Sequence, residues 1–372
     1  MKIVIDAYQP AKHITGSDRF AKNILRELQV IDQDNKYIVI VNREHEFVAD
    51  SIKAPNFKVL PLSVSKRAIW LMLGLPRLLQ EHQADVFFSP YNLSGPGRRV
   101  CRTIISILDT IPVSQPDLYF GSHSSKLRRA VVSFTMRRPL RFADQFVAIS
   151  DFTKAMAVKD LGLDANKIEV VYLQADPIFF TPSSTEVKEA VHKKYKLPTS
   201  FVFTMGSSEP RKNIATLVKA HQLLPTELRG EFPLVISGAR WHGQDIDISA
   251  DPNISMAGFI DDADLPTVYQ LATVFAFPSS YEGFGLPILE AMASKTPVLT
   301  TTATSIPEVA GQAAISVEAD DPNGMSKALR TLLEQPKERR KLIEAGEAQT
   351  LRFSWKVAAE RLLKLFSEPD TN

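Results

Sequence analysis

Short apolar runs alternate with longer amphipathic stretches along the first half of the chain. The runs have the length of buried strands, and after the first of them Phe20, Ile24, Leu25 and Leu28 recur at helical spacing. Such an alternation predicts repeated strand–helix units whose strands pair in parallel. The predicted strands of this half are Lys2–Asp6, Tyr37–Val41, Lys58–Leu62, Val86–Ser89, Thr103–Leu108, Gln145–Ile149 and Ile168–Tyr172.

The same alternation begins again after a segment rich in Pro, Ser and Thr, Asp176–Thr185, which we interpret as a linker. Two such arrays predict an α/β protein with two doubly wound parallel sheets, each covered by helices on both faces. Ligands of these sheets bind beyond the carboxyl ends of the strands, so we expect a site in a cleft between two domains. The predicted strands of this half are Phe201–Met205, Pro233–Ser237, Val274–Phe277, Pro297–Thr301 and Ala313–Val317, with a further strand ending before Gly258.

The composition is that of an intracellular globular protein. With 372 residues and 44% hydrophobic content, the chain is long enough for two domains. Cys101 is its only cysteine, so no internal disulfide can form, as expected in a reducing cytosol. The opening Met1–Asp6 is too short and too soon acidic for a signal peptide, and no stretch approaches the apolar length of a membrane span. We therefore expect a cytoplasmic protein.

Charge is unevenly distributed, because an excess of basic residues in the first half is offset by an excess of acidic residues in the second. The basic excess concentrates in residues 118–143, where Lys and Arg are interleaved with apolar residues and no acid occurs. Two interpretations stay open. This basic segment lies on an anionic membrane or receives an anionic acceptor, or it is a solvated helix face whose apolar residues pack inward. Nucleic acid is a poor candidate, since the chain shows no binding motif and no platform of stacking aromatic residues.

Two carboxylates near the end of the chain flank a tight loop that runs into a helix. Glu282 and Glu290 are separated by seven residues, among which Gly283 and Gly285 allow the backbone to approach a ligand closely. Pro287 suits the start of a helix, whose first N–H groups can bind phosphate or sugar oxygens. The alternative is structural: Glu290 complements the helix dipole, and Glu282 is a solvated loop acid.

Further candidates follow other predicted strands. Arg211 and Lys212 stand side by side in Gly206–Asn213, where they would face a polyanion. Neither a Walker phosphate-binding loop nor a cluster with zinc-ligand spacing occurs. The acid pairs Asp245-x-Asp247 and Asp262-x-Asp264 look like metal ligands, but we interpret them as solvated loop acids.

In their order, these segments resemble the retaining GT-B glycosyltransferases of family 4, which use nucleotide-sugar donors. The likeness covers nearly the full length and is densest in the second half. It rests on Gly206–Asn213, Val235–Gly238, Gly258–Asp262, Phe277–Ser279, Tyr281–Met292, Pro297–Leu299 and Ile306–Gly311, and in the first half on Gly16–Arg19, Leu108–Pro112 and Val147–Phe152. The resemblance implies two Rossmann-like domains, with acceptor binding in residues 1–177 and donor binding in residues 178–354. A C-terminal helix of about residues 355–372 would pack back on the first domain. Its apolar residues recur at helical spacing and are expected in the core: Trp355, Val357, Ala358, Leu362, Leu363 and Phe366.

The resemblance also implies a role for each charged residue. Glu290 would accept hydrogen bonds from the ribose hydroxyls, and Glu282 would contact the donor sugar near its reacting carbon. Asp109 joins Glu282 as a catalytic candidate. Arg211 and Lys212 would neutralise the departing diphosphate. Because cations and a helix N-terminus can carry this charge, we expect no metal and no other cofactor.

The remaining donor contacts would come largely from the backbone. Phe259 and Ile260 would frame the base, and Gly16 would approach the diphosphate from the first domain. The loop that would hold the sugar and the distal phosphate consists of Gly283, Phe284, Gly285 and Leu286.

Two positions depart from the family pattern. Many members have a histidine before the aspartate where this chain has Leu108, so only the main-chain carbonyl of Leu108 is left to contact the sugar. Many also have an arginine in place of Ser207, another donor-site residue. That loss leaves more of the diphosphate charge to Arg211 and Lys212.

The segments Glu209–Asn213 and Asp109–Pro112 are similar to those of bacterial mannosyltransferases that build surface polysaccharides. The expected reaction is transfer of mannose from GDP-mannose to a hydroxyl of a lipid-linked or polysaccharide acceptor, with segment 118–143 docking on the inner membrane. UDP-hexoses stay open as donors, because the base is read mainly by backbone groups. A non-catalytic nucleotide-sugar-binding protein and a GT-B epimerase are the alternatives, and Leu108 argues against the epimerase, which needs a histidine there.

Overall fold

The computed structural model describes residues 1–9, 15–44, 46–116, 125–206, 209–238 and 251–368. The chain forms two compact units. The first combines Met1–Leu173 with Ser354–Asn372, and the second is Gln174–Phe353. Each unit has its own parallel sheet, so the prediction of two doubly wound α/β sheets is confirmed.

The sheet of the first unit has seven parallel strands. They are β1 Lys2–Ala7, β2 Lys36–Asn42, β3 Phe57–Leu62, β4 Val86–Ser89, β5 Arg102–Ile107, β6 Gln145–Ala148 and β7 Ile168–Val170. Their order is β3-β2-β1-β4-β5-β6-β7, so the chain adds strands first on one side of β1 and then on the other. The carboxyl ends of β1 and β4 therefore border the crevice in which such sheets bind ligands.

Helices connect these strands, and the first of them shows why the sequence folds this way. Helix Gly16–Ile31 begins at a capping box formed by Thr15 and Asp18, and it buries Phe20, Ile24, Leu25 and Leu28 as their spacing predicts. The other helices of the unit are Glu46–Ala49, Arg67–Ile69, Leu75–Glu81, Ile111–Ser114, Lys126–Leu140, Asp151–Leu161 and Trp355–Ser367, with a π-helical turn at Trp70–Gly74 and a 3₁₀ turn at Ala165–Lys167.

The second unit repeats the plan with six parallel strands. They are β8 Val202–Met205, β9 Leu234–Ser237, β10 Ile254–Gly258, β11 Val274–Ala276, β12 Val298–Thr301 and β13 Ala314–Val317. The order is β10-β9-β8-β11-β12-β13, which places the crevice between β8 and β11. Its helices are Thr185–Tyr195, Ile214–Gln222, Thr226–Glu231, Leu265–Leu271, Leu286–Ala293, Ile306–Ala310, Pro322–Glu334 and Pro336–Thr350, with 3₁₀ turns at Pro177–Phe180 and Pro210–Lys212.

The segment interpreted as a linker is partly anchored. Within Asp176–Thr185, residues Pro177–Phe180 form a 3₁₀ turn, and Phe179 is fully buried with its ring 5.9 Å from that of Tyr269. The linker interpretation is therefore wrong for this part. The Pro and Ser content of the segment hid the one apolar side chain that packs on the second unit, that of Phe179, whose neighbours Ile178 and Phe180 are exposed.

The last helix of the chain belongs to the first unit. Trp355 is buried with its ring 6.2 Å from that of Phe20, and Phe366 lies 5.7 Å from Phe88. Val357, expected in the core from its spacing, is instead 48% exposed. The helix thus closes the layer that helix Gly16–Ile31 begins. Among the residues described, no helix combines the length and the apolar character that a membrane span requires.

Candidate functional site

Three glycines meet at the carboxyl ends of neighbouring strands in the second unit. The Gly206 N–H donates to the Ser237 carbonyl at 3.1 Å, and the Gly238 N–H donates to the Gly258 carbonyl at 2.9 Å. Gly238 has φ +125°, and a Cβ there would overlap the carbonyl oxygen of Gly206. Only glycine fits at this close backbone crossing, which lies at the carboxyl ends of β8, β9 and β10.

The loop that carries the two cations is fastened to the loop that carries Glu282. The Ser280 N–H donates to the Arg211 carbonyl at 2.8 Å. Asn213, in the left-handed region with φ 53°, donates through its side-chain amide to the carbonyls of Pro278 (3.0 Å) and Ala319 (2.6 Å). Asparagine tolerates this backbone conformation better than most residues. These bonds bring the cations to Glu282 although about 70 residues separate them in sequence.

Glu282 lies buried between both cations. Lys212 Nζ is 2.7 Å from Glu282 Oε1, and Arg211 Nη1 is 3.0 Å from Glu282 Oε2. Arg211 also binds Glu209 through Nε at 2.6 Å and the Tyr281 carbonyl at 3.2 Å. Burial raises the pKa of Glu282, but the charges of Lys212 and Arg211 outweigh burial and hold this pKa below its usual range. Glu282 is therefore a carboxylate at neutral pH, and its interpretation as a solvated loop acid is wrong.

The loop after Glu282 turns sharply into helix Leu286–Ala293. Gly285 adopts φ +104° at the N-cap, which favours glycine, and Leu286 and Pro287 are the first helical residues. Pro287 has no N–H, and the Ile288 N–H already donates to the Gly285 carbonyl at 3.0 Å. Backbone contacts to a ligand would thus come from the loop residues before Pro287 rather than from the helical turn itself.

Two hydroxyl residues that the sequence did not single out hold this loop in place. Thr304 Oγ1 accepts from the Glu282 N–H at 3.0 Å. Ser305 Oγ donates to the carbonyls of Glu282 (2.9 Å) and Phe284 (3.0 Å). Both residues directly precede the Ile306–Gly311 segment that carried the family resemblance, so extending that segment by two residues would have found them. They fix the backbone on which the Glu282 side chain is mounted.

Glu290 is a second buried carboxylate on the same helix. Its side chain is 3% exposed, and the Tyr269 hydroxyl donates to Glu290 Oε2 at 3.4 Å. The Tyr269 hydroxyl also lies 3.4 Å from the sulfur of Met205, at the end of β8. Glu290 and Glu282 thus belong to one loop–helix unit at the crevice side of the sheet. A purely dipolar role does not fit Glu290, since it is buried well inside the first turns.

The residues expected to frame a base follow β10. Phe259 is 60% exposed, whereas Ile260 is buried. A clamp secures the next residues: Lys194 Nζ lies 2.6 Å from a carboxylate oxygen of both Asp261 and Asp264. Asp264 also accepts from the Tyr195 hydroxyl at 2.9 Å, so its interpretation as a solvated acid is wrong. Ser207 lies outside the described residues.

Gly16 and Asp109 belong to the first unit. Gly16 begins helix Gly16–Ile31, and a Cβ there would meet no atom within 4 Å. Just below it, Asp18 accepts from the Tyr91 hydroxyl at 2.8 Å. Burial and the Asp18 charge raise the pKa of Tyr91, so the phenol stays protonated and donates.

Asp109 is anchored through the residue that follows Tyr91. Its Oδ1 accepts from the Ile111 N–H at 3.1 Å and from the Asn92 side chain at 3.3 Å. Asn92 in turn accepts from the Leu108 N–H at 2.9 Å. The loop of residues 91–92 therefore bonds both to Asp109 and to Asp18, in the first turn of the helix that Gly16 begins. This network holds the Leu108 N–H and the Asp109 side chain in place.

The described part of the basic segment 118–143 is mainly helix Lys126–Leu140. Lys126, Arg137 and Arg141 are exposed, whereas Arg138 is half-buried, with Nε donating to the Gly97 carbonyl at 2.9 Å. The apolar residues divide: Met136 and Leu140 pack on the core of the unit, but Leu127, Val131 and Phe134 face outward. The alternative in which the apolar residues all pack inward is therefore wrong.

Within the described ranges, no group of three or more His, Cys, Asp or Glu side chains is arranged to hold a metal ion. Asp245 and Asp247, one of the acid pairs considered above, lie outside those ranges. The expectation that no metal is needed remains a prediction.

Comparison with known proteins finds one glycosyltransferase family model in each half of the chain. Residues 14–177 match the model described as Glycosyltransferase Family 4, and residues 170–349 match Glycosyl transferases group 1. The O-antigen chain mannosyltransferase B of Escherichia coli is 33% identical over 377 residues, covering 95% of this chain and 96% of the relative. The serotype-specific mannosyltransferase WbdA of Escherichia coli is 28% identical over 289 residues, which are 74% of this chain but 35% of WbdA.

Among solved structures, Anabaena Alr3699/HepE in complex with UDP-glucose is similar over 99% of both chains, with a TM-score of 0.74 and 16% identity. At this identity the likeness concerns the fold alone. It agrees with the two parallel sheets described above and confirms the predicted fold class.

Proposed function

This chain belongs to the glycosyltransferases that combine a family 4 domain with a group 1 domain, and we propose that it transfers mannose from GDP-mannose to a hydroxyl of a lipid-linked or polysaccharide acceptor, with retention of configuration. Glycosyltransferase activity follows from the family. The relative named O-antigen chain mannosyltransferase B, similar over almost the whole of both chains, supports mannose as the sugar and a surface polysaccharide as the product.

The observation that carries the mechanism is the contact of the Glu282 carboxylate with both Lys212 and Arg211. In the reaction the bond between the anomeric carbon and the phosphate oxygen breaks, and a bond to the acceptor oxygen forms on the same face. Positive charge grows on the sugar ring while negative charge grows on the diphosphate. Cations and a carboxylate fixed side by side match this separation of charge, and fixed groups need little reorganisation during the reaction.

We assign the residues as follows. Lys212 and Arg211 stabilise the departing GDP, and Glu282 contacts the sugar hydroxyls and the positive charge near the anomeric carbon. Glu290 binds the ribose, while the backbone of Gly283–Leu286 holds the sugar and the distal phosphate. Phe259 and Ile260 frame the base. The acceptor proton passes to an oxygen of the departing diphosphate.

In the first unit, we assign Gly16 to the diphosphate, and Asp109 to orienting the Leu108 carbonyl toward the sugar. The anchoring of Asp109 by Asn92 and by the Ile111 N–H supports an orienting role. No metal enters this scheme, so activity assayed in excess EDTA should equal the activity without it. A loss of activity that Mg²⁺ or Mn²⁺ restores would contradict the scheme.

The test of the donor is a thermal-shift panel with GDP, UDP, ADP and CMP. A ligand at about a hundred times its dissociation constant stabilises the protein by about 2.7 kcal/mol, enough to raise the melting temperature by a few degrees. A shift with GDP alone supports GDP-mannose, and a shift with UDP alone replaces it by a UDP-hexose. No shift with any of the four would favour a protein that binds no nucleotide sugar.

Turnover is tested by incubating GDP-mannose with a soluble mannoside acceptor and following GDP release. The anomeric configuration of the product, read by proton NMR, tests retention. GDP binding without any transfer to a range of mannosides would favour the non-catalytic alternative.

We also propose that helix Lys126–Leu140 contacts an anionic membrane, on which a lipid-linked acceptor would lie. Exposed Lys126 and Arg137 together with outward-facing Leu127, Val131 and Phe134 support this contact. The charge test should change Arg137 and not Arg138, because Arg138 also bonds the Gly97 carbonyl. Vesicle flotation in which wild type shows no preference for anionic lipid would contradict the contact.

A further inference from the structure

A second helical segment of the first unit exposes bulky apolar side chains. Arg67–Ile69, the π-helical turn Trp70–Gly74 and Leu75–Glu81 form one continuous helical segment, here called the π segment. Ile69 is 53% exposed and Leu73 is 60% exposed, while Leu71, Leu75 and Leu79 on the other side are buried in the core.

The outward face of the π segment carries cations at both ends. Lys66 and Arg77 are exposed on either side of Ile69 and Leu73, at spacings close to one helical turn. The face of helix Lys126–Leu140 has the same composition, with Leu127, Val131 and Phe134 at 75%, 47% and 57% exposure between Lys126 and Arg137. Both faces thus combine bulky apolar side chains with Lys and Arg.

The two helices are neighbours, because both pack on residues 95–98. The Gly97 N–H donates to the Leu71 carbonyl at 3.0 Å, and the Gly97 carbonyl accepts from Arg138 Nε at 2.9 Å. A Cβ on Gly97 would lie 2.6 Å from the sulfur of Met72, so the loop touches the π segment directly. Arg98 continues the link by donating to the Gln80 side chain at 3.0 Å.

Charge identifies the kind of partner. In the sequence, no acid occurs between Ser51 and Gln80 or between Leu118 and Ala143, and the one acid of the π segment is Glu81, its last residue, exposed one turn beyond Arg77. A second copy that met this surface with the same surface would bring the same cations to the contact and be repelled. An anionic bilayer satisfies both kinds of side chain. Its phosphate-bearing head groups attract the Lys and Arg side chains, and the hydrocarbon layer below them accepts the apolar side chains.

We propose that the π segment is a second membrane-binding element, and that Ile69 and Leu73 enter the head-group region of the same anionic bilayer as Leu127, Val131 and Phe134. This inference rests on the membrane contact proposed for helix Lys126–Leu140. Two elements joined by one loop would hold the first unit in a fixed orientation on the membrane, which a single helix cannot do.

The test is flotation of the full chain with phosphatidylcholine vesicles prepared with and without phosphatidylglycerol. We compare wild type with Ile69→Ser/Leu73→Ser, with Leu127→Ser/Phe134→Ser, and with Val30→Ser as a control that removes a 72% exposed apolar side chain from another helix of the same unit. Each double variant should lower partitioning onto anionic vesicles on the order of tenfold, and the control should match wild type. Transfer to a water-soluble acceptor should be unchanged in all of them.

Unchanged partitioning of Ile69→Ser/Leu73→Ser, with reduced partitioning of Leu127→Ser/Phe134→Ser, would overturn this inference and leave the helix contact standing. If wild type does not bind anionic vesicles, both proposed membrane contacts are overturned. Transfer to the soluble acceptor still tests the proposed mannosyltransferase activity, because that assay needs no membrane. If the first double variant melts below wild type, Lys66→Glu/Arg77→Glu replaces it. Partitioning of that charge variant equal to wild type would again overturn the inference.

Discussion

Glu282 is a buried carboxylate whose charge is maintained by its two neighbours. In water a carboxylate is solvated, but a buried one loses that solvation and tends to take up a proton. Lys212 and Arg211 reverse this tendency and hold the pKa of Glu282 below its usual range. The residue therefore meets a ligand already charged and already oriented, since Thr304 and Ser305 fix its backbone.

Glu282→Gln should abolish most transfer while GDP still binds. The amide keeps the shape but loses the charge near the anomeric carbon, so we expect kcat to fall by about 10²- to 10³-fold. Steady-state kinetics and a GDP titration measure the two effects. Glu209→Gln is the matched control, because Glu209 contacts Arg211 at 2.6 Å but is half-exposed. Equal losses in both variants would contradict the assignment.

Glu290→Gln should weaken nucleotide binding rather than the chemical step. A hydrogen bond to a charged group contributes about 1.5–3 kcal/mol, which corresponds to roughly 10- to 100-fold in the dissociation constant of GDP. Isothermal titration with GDP measures the change. Tyr269→Phe serves as the control, since it removes the hydroxyl contacts to Glu290 and to the Met205 sulfur but leaves the Glu290 carboxylate in place. A dissociation constant unchanged in Glu290→Gln would refute the ribose role.

The identity of the charged residues was accessible from the sequence, but their pairing was not. Glu282, Glu290, Arg211 and Lys212 stood out because they follow predicted strands in the order of a known family. Their direct contact depends on bonds such as Ser280 to Arg211, which join loops distant in sequence. Thr304 and Ser305 gave no periodic signal, because hydroxyl residues that bind backbone groups occur in many loops.

At the scale of elements, the strand ends determine where a ligand can approach. The apolar runs predicted most strands closely, since fully buried parallel strands have few polar positions. β10 was harder to find, because its pattern Ile254–Gly258 is only partly buried and lies at the sheet edge. The close approach of Gly206 and Gly238 was not predictable. A glycine after a strand indicates a turn, but the sequence does not show which backbone group will lie where a side chain would be.

Gly238→Ala should disrupt the end of β9. The backbone of Gly238 has a positive φ of +125°, which would cost alanine about 1–3 kcal/mol in folding free energy. The Cβ of the alanine would also displace the Gly206 carbonyl. We expect a lower melting temperature and weaker GDP binding. Gly230→Ala is the control, because a Cβ there meets no atom within 4 Å and a helical alanine should stabilise by about 0.5–1 kcal/mol. Similar stability of the two variants would contradict the argument.

His221 makes helix Ile214–Gln222 sensitive to acid. The imidazole is fully buried, with Nε2 3.0 Å from the Phe232 carbonyl, and burial holds the pKa of His221 below its ordinary value of 6.5. The unfolded chain therefore binds a proton more readily, so the free energy of unfolding falls as the pH drops below 6.5. Melting temperatures at a series of pH values should show a smaller acid loss in His221→Gln. An identical pH dependence in the variant would exclude His221 as the cause.

At the scale of the whole molecule, the first unit depends on the last helix of the chain. Trp355 and Phe366 pack on Phe20 and Phe88, so helix Gly16–Ile31 and the sheet share a core with residues that follow 335 and 278 positions later in the chain. The two alternating arrays predicted two sheets, because each array is long enough to bury a sheet of its own. The prediction that Val357 lies in the core was wrong. Helical spacing shows which side of a helix is apolar, but it does not show how much of that side the neighbouring elements cover.

Trp355→Ala should destabilise the first unit selectively. Loss of this buried side chain should cost about 3–5 kcal/mol, whereas Val357→Ala on the same helix should change stability by less than about 0.5 kcal/mol. Differential scanning calorimetry with and without GDP distinguishes the units, because most groups assigned to GDP belong to residues 174–353, whose transition GDP should raise more. A drop confined to the GDP-sensitive transition would contradict the packing described.

The return of the chain to the first unit has a consequence during synthesis. Residues 1–173 leave the ribosome first, but their layer is complete only when residues 354–368 have followed. At about 5–20 residues per second, translation of the intervening 180 residues takes roughly 9–36 s. The second unit is continuous and can fold within that interval. The half of the enzyme made first is therefore finished last, and until then the surface of Phe20 and Phe88 that awaits the final helix is open to chaperones.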